Sequence, residues 1–297
     1  MSKRLTGKWV LSVLWCLVLA ASSLNAAQDV RVFVEADEEG RVNVRSEVLE
    51  TALQQGVFQE AEELLRGKLD ESRRFLLQGL LSSKASEYVL GYEELEYEST
   101  DWGAVLHMDV RVNRQALRGF LQSLGTYYTL DQTVGYVLDA QNLTSEDATA
   151  VQELEILSGV RQDASDSPSL RLVRGADGTW QGMLDFEGLV WSAQAMDLPL
   201  LWADLWGNYF TLERVRQMFE DSVLLTTHGW GNASVALGFD QVLRSWDSQA
   251  AEVELVGVSL RPEGVQAQWK ISTMDRDGLE ARLIRTLRDM DIVHSIQ

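Results

Sequence analysis

SVLLTTHGW, at residues 222–230, reads as a strand, and ASVALGFDQVLRSW (233–246) behind it reads as a helix. VELVGVSL (253–260) and VQAQWKIST (265–273) are strand-like and flank the turn RPEG. DGLEARLIRTLRDM (277–290) is helical again, and DIVHSI (291–296) is a last strand. The order is βαββαβ. Such a unit folds into a four-stranded antiparallel sheet with two helices on one face, the split-βαβ or ferredoxin-like arrangement. Each helix must bury an apolar stripe on that sheet.

Two earlier passes of the chain repeat this layout. In the first, VRVFV (30–34) alternates like a strand, and Ser46 is placed to cap a helix. Val48, Leu49, Ala52, Leu53, Val57, Ala61, Leu64 and Leu65 then fall on or near one stripe. A short helix RRFLLQGLL, two strand-like runs YVLGYEELEYE and AVLHMDVRV around STDWG, a helix RQALRGFLQSLG and a closing TYYTL follow. In the middle pass TVGYVLDA is strand-like, and Thr144 or Ser145 caps SEDATAVQELEILSGV. SLRLVRG and TWQGMLDF flank the turn ADG, and PLLWADLWGNYF supplies the second helix. The insertion EGLVWSAQ has no counterpart elsewhere and admits a third hairpin strand.

The expected architecture is therefore α+β, with tandem split-βαβ units at 28–131, 132–215 and 216–297 after a cleaved signal peptide at 1–26. Lys3, Arg4 and Lys8 form the basic start of that leader, WVLSVLWCLVLAA its apolar run, and SSLNAAQ its small-residue end. The apolar run is shorter than the ~20 residues a spanning helix needs, so cleavage after Ala26 or Ala27 is expected, with no membrane span afterwards. Cleavage removes Cys16, the sole cysteine. A disulfide-free exported chain of this size points to the periplasm of a Gram-negative bacterium, or secretion from one. The net charge of −19 becomes −22 when the three basic leader residues go (−19 − 3), which argues against nucleic acid and anionic membranes.

STMDRDGLEARL (272–283) gathers acids around a glycine, yet it reads as a helix start. Asn113, Asp197 and Asp275 each precede the second helix of a pass, where a side-chain oxygen can accept from first-turn amides. A calcium loop beginning at Asp275 would have Leu279 at its fifth position and Thr286 at its twelfth, so the required carboxylate is missing.

No HExxH, GxSxG or phosphate-loop pattern occurs, and no cofactor is expected. Of the histidines, His107 and His294 lie in strands, and His228 at a strand end is the most site-like. Glu60, Glu62 and Glu63, and Glu93, Glu94 and Glu96, are expected on solvated faces. Trp202 and Trp206 share a helix face near Tyr209. They suit core packing; alternatively, with His228 and Trp230, they form a protein-binding surface or a sugar-stacking platform.

The run from Ser46 to Leu53 into YVLGYEELEYE and LHMDVRVNRQALRGFLQSLG resembles a group of uncharacterised bacterial envelope proteins. It is also similar to the N-terminal domain of flagellar assembly protein T, through Tyr88, Val89 and Tyr92, and through Leu117, Leu124 and Gly125. The resemblance covers about the first third of the mature chain and brings no catalytic motif. It implies a small periplasmic α/β domain that builds protein contacts, sometimes in rings around a larger machine. The expectation is a non-enzymatic protein with unidentified protein partners and an open oligomeric state, or alternatively a ligand- or glycan-binding module.

Overall fold

The computed structural model describes residues 27–35, 44–100, 102–163, 168–246, 248–262 and 264–297. The expected leader at 1–26 lies outside the described residues. The fold is α+β, and the described residues form nine helices and three sheets. They fall into two units, 27–219 and 220–297.

The larger unit opens with β1 (Ala27–Glu35), α1 (Val44–Leu64), α2 (Glu71–Ser82) and α3 (Ala85–Tyr88). The hairpin β2 (Val89–Thr100) and β3 (Gly103–Val112) and the helix α4 (Arg114–Ser123) follow. The sheet is antiparallel in the order β1-β3-β2. Period-two alternation turns Ala104, Leu106, Met108, Val110 and Val112 of β3 inward. They meet the α1 stripe, of which Val48, Ala52, Val57, Ala61, Leu64 and Leu65 are buried. Ser46 does not cap this helix, because α1 already begins at Val44.

TYYTL does not supply a fourth strand. Gly125 takes a left-handed φ of +83°, where a Cβ would also lie 2.2 Å from the Phe210 ring, and the chain turns instead. Tyr127 and Tyr128 are buried by that turn. The Thr126 hydroxyl donates to Leu157 O at 2.9 Å, so the end of the first pass bonds to the middle one rather than to its own sheet.

The middle pass consists of β4 (Val134–Gln141), α5 (Ser145–Ser158), β5 (Val160–Gln162), β6 (Ser169–Arg174), β7 (Trp180–Phe186), β8 (Leu189–Ala195), α6 (Leu198–Phe210) and α7 (Glu213–Arg216). Its sheet runs β5-β4-β6-β7-β8, with β4 parallel to both β5 and β6. A split βαβ would leave a strand between β4 and its parallel partner. Here the chain returns from α5 directly beside β4, so the middle pass departs from the expected layout. EGLVWSAQ becomes β8, antiparallel to β7, and α7 rather than a strand follows α6. Thr144 caps α5 in a reciprocal box with Asp147, and Gly159 ends it at φ +63°.

The smaller unit consists of β9 (Asp221–Trp230), α8 (Ala233–Arg244), β10 (Glu252–Arg261), β11 (Gly264–Thr273), α9 (Arg276–Asp289) and β12 (Val293–Ile296). Its sheet runs β10-β11-β9-β12 with every neighbour antiparallel. One core holds Val223, Leu225, Ala267, Trp269 and Ile271 against Ala236, Phe239 and Leu243 of α8 and Leu279, Leu283 and Leu287 of α9. Among the described residues, no helix is long and apolar enough to cross a membrane.

Candidate functional site

Four of the five side chains expected at an interaction surface are in cores. Helix α6 is apolar around most of its circumference, with the strip of Leu200, Asp204 and Asn208 reaching solvent. It packs on β7 and β8 and buries Trp202 and Trp206 completely and Tyr209 almost so. The Trp206 ring meets Tyr136 edge-on at 5.4 Å, Tyr209 at 5.5 Å and Trp202 at 5.8 Å. Trp202 Nε1 donates to Ser158 Oγ at 2.8 Å. Tyr136 donates its hydroxyl to Glu155 Oε1 at 2.5 Å, and burial first, then that carboxylate, raises its pKa. No face of these rings is open to a sugar.

Trp230, in the other unit, is likewise buried; its Nε1 donates to Thr227 Oγ1 at 2.6 Å, and its ring lies 5.3 Å from Phe239. His228 is exposed, opposite Val293 of β12. The five residues thus belong to two different units. The run PLLWADLWGNYF itself carried this signal, having almost no polar face to turn outward.

Glu60 also departs from expectation. It follows the inward-facing Val57 by three positions and precedes Leu64 by four, so helical spacing carries it inside with them. There its carboxylate accepts from Gln28 Nε2 at 2.9 Å and pairs with Arg114. Glu62, by contrast, pairs with Arg74 on the surface at 2.7 Å.

What remains exposed is concentrated on the hairpins. On the open face of the first sheet, Asp29, Asp109 and Glu93 lie in one cross-strand row, and Arg31, His107 and Glu96 in the next. His107 Nε2 is 2.6 Å from Asp29 Oδ1. The edge strand β2 has register irregularities at Leu90 and Leu95, and both side chains are exposed. Trp102 in the β2–β3 turn is 82% exposed, beside a strand that carries Glu93, Glu94, Glu96 and Glu98. In the smaller unit the edge strand β10 exposes Val256, Val258 and Leu260.

An open depression of about 480 Å³ lies over β6, β7 and β8, lined by Arg171, Gln181, Met183 and Gln194 among others. Among the described residues, no group of three or more His, Cys, Asp or Glu is placed to hold a metal ion. The chain matches no protein-family model, no curated protein and no solved structure.

Proposed function

We propose that this is a non-enzymatic periplasmic protein, exported by the leader at 1–26, that works through protein contacts in an envelope or surface-appendage assembly. The observation that carries the reading is Trp102. A large aromatic stands in solvent at the turn of a long hairpin, while the other aromatic-rich segments fill cores. Burying an exposed tryptophan in a partner's pocket is a common source of binding energy. Leu90, Leu95 and Tyr92 extend the apolar character along an acidic strand, so the partner surface is basic with an apolar centre. The smaller unit we take as a ferredoxin-like split βαβ, a reading supported by its strand order and all-antiparallel pairing.

The test is quantitative capture from envelope extracts by the mature protein and by Trp102→Ala. A protein retained by the first and lost from the second supports the reading. N-terminal sequencing of the exported chain is expected to begin at Ala27 or Gln28. Equal capture by both variants, together with turnover of an envelope substrate, would overturn it.

A further inference from the structure

Strand β10 is an edge whose chemistry complements itself. Against β11, Val253, Leu255, Val258 and Leu260 stand opposite Ile271, Trp269, Ala267 and Val265, all buried. They share the helix-covered face, yet on this edge strand Leu260 is 84% exposed and Val258 37%. The alternate residues Glu254, Gly257, Ser259 and Arg261 line the other face, and Val256 is left out as a bulge. The strand holds no lysine or proline of the kind that guards an edge.

We propose that β10 pairs antiparallel with β10 of a second copy, across a twofold axis at Val258, to join two four-stranded sheets into one of eight. Face alternation and charge select this register. Val258 meets Val258, Gly257 meets Ser259, Leu255 meets Leu260 with Val256 bulged, and Glu254 meets Arg261. Every contact but the one on the axis occurs twice by symmetry, so each copy contributes one carboxylate and one guanidinium to the pair of ion pairs. Arg261 is already held at the strand by its Nε bond to Gln266 Oε1 at 3.2 Å. Asp29 and Arg31 of the nine-residue edge β1 would also meet across a twofold at Val30, but Asp29 is already held by His107. A twofold through the middle of β2 would set glutamates against glutamates, and β8 has no charged residue to fix a register. The pairing is separate from the Trp102 surface and stands or falls without it.

Light scattering of the mature protein is expected to give twice the chain mass. Leu260→Glu, which changes a solvent-facing side chain, raises the dimer dissociation constant at least about tenfold while near-ultraviolet circular dichroism is retained. Glu254→Arg and Arg261→Glu each weaken the dimer, and the two combined restore it. In the mature chain, from which Cys16 has gone with the leader, Val258→Cys forms a disulfide-linked dimer on mild oxidation, as side chains on a twofold axis allow. A monomer at every concentration, or a dimer that ignores Leu260→Glu and the charge swap, overturns the proposal. Either result leaves capture through Trp102 untouched.

Discussion

Apart from the inserted α2 and α3, the first pass and the smaller unit share a chain order as far as the helix after the hairpin, and then part. In the smaller unit the last segment, β12, pairs with β9 through Leu225 to His228 and completes a sheet with its own core. In the first pass the corresponding segment turns at Gly125 and bonds to the end of α5. Its sheet stays at three strands and becomes part of a larger unit. Four or five residues at the end of a pattern thus decide whether it closes on itself or fuses with a neighbour.

Arg73 of α2 is the hub of that fusion. Its side chain is buried, and its guanidinium donates to Thr129 O at 2.8 Å, to Thr129 Oγ1 at 2.9 Å and to Leu157 O at 3.0 and 3.2 Å. The cation also faces the negative end of α5, which offsets part of its desolvation. Burial lowers its pKa, and Asp70 works against that shift. Replacing it by methionine, of similar length but without donors, leaves two carbonyls without their guanidinium partner. We expect Arg73→Met to cost about 3 kcal/mol in urea unfolding. Amides around 125–130 and 156–160 should lose hydrogen-exchange protection, while those of β9 and β11 keep theirs. A loss under about 1 kcal/mol, or one spread evenly over both units, would break the contrast.

Alkaline pH sharpens the same comparison, because all seven tyrosines lie in the larger unit and none after residue 219. Burial raises Tyr88 and Tyr209 to about 12, with Glu87 and Glu187 adding to it, and raises Tyr136 further. A phenol whose folded pKa exceeds its unfolded value of 10.0 holds its proton more tightly in the native state. Its contribution is therefore intact below the unfolded pKa and is lost as pH climbs from there through about 12. The expected loss near pH 11 is on the order of 1 kcal/mol for each of Tyr88 and Tyr209. Absorbance at the phenolate band should show at least three tyrosines un-ionised in the native protein near that pH. Full ionisation of all seven without unfolding would sink the argument.

Local periodicity carried most of the smaller unit and the α1 stripe, since each contact there joins segments whose apolar spacing already states which face is inward. EGLVWSAQ admitted a third hairpin strand but its place was not legible; as β8 it turns Trp191, Ala193 and Ala195 inward as period two requires. TYYTL was not. Tyrosine and threonine suit a strand and a buried turn alike, and the deciding partners, Leu157 and Arg73, lie far along the chain. The parallel pairing of β4 with β6 is hidden for the same reason, because a crossover reads alike whether or not a strand is left between its ends. Buried Trp206 and surface Trp102 differ in neighbours, not in residue type. The mostly apolar run of α6 on one side and the turn around Trp102 on the other are the sequence features that set them apart.

The smallest effects test the three helix starts that the pattern aligned. Asn113 accepts from Ala116 N at 3.1 Å and Asp275 from Gly278 N at 3.3 Å, whereas Asp197 makes no such bond. Pro199 at the second helical position has no N–H, so one of the two amides a cap can reach is gone; the other, on Leu200 at the position the first two caps use, is not bonded by the Asp197 side chain. The Asp197 carboxylate lies instead 3.8 Å from Lys84 Nζ, a half-exposed contact of small value. Asp275→Ala and Asn113→Ala should each cost about 1 kcal/mol, and Asp197→Ala no more than about 0.5 kcal/mol. Thermal unfolding of the three variants side by side measures this. If Asp197→Ala matched the other two, position in the pattern rather than the cap hydrogen bond would govern these helix starts, and the three aligned residues would be equivalent after all.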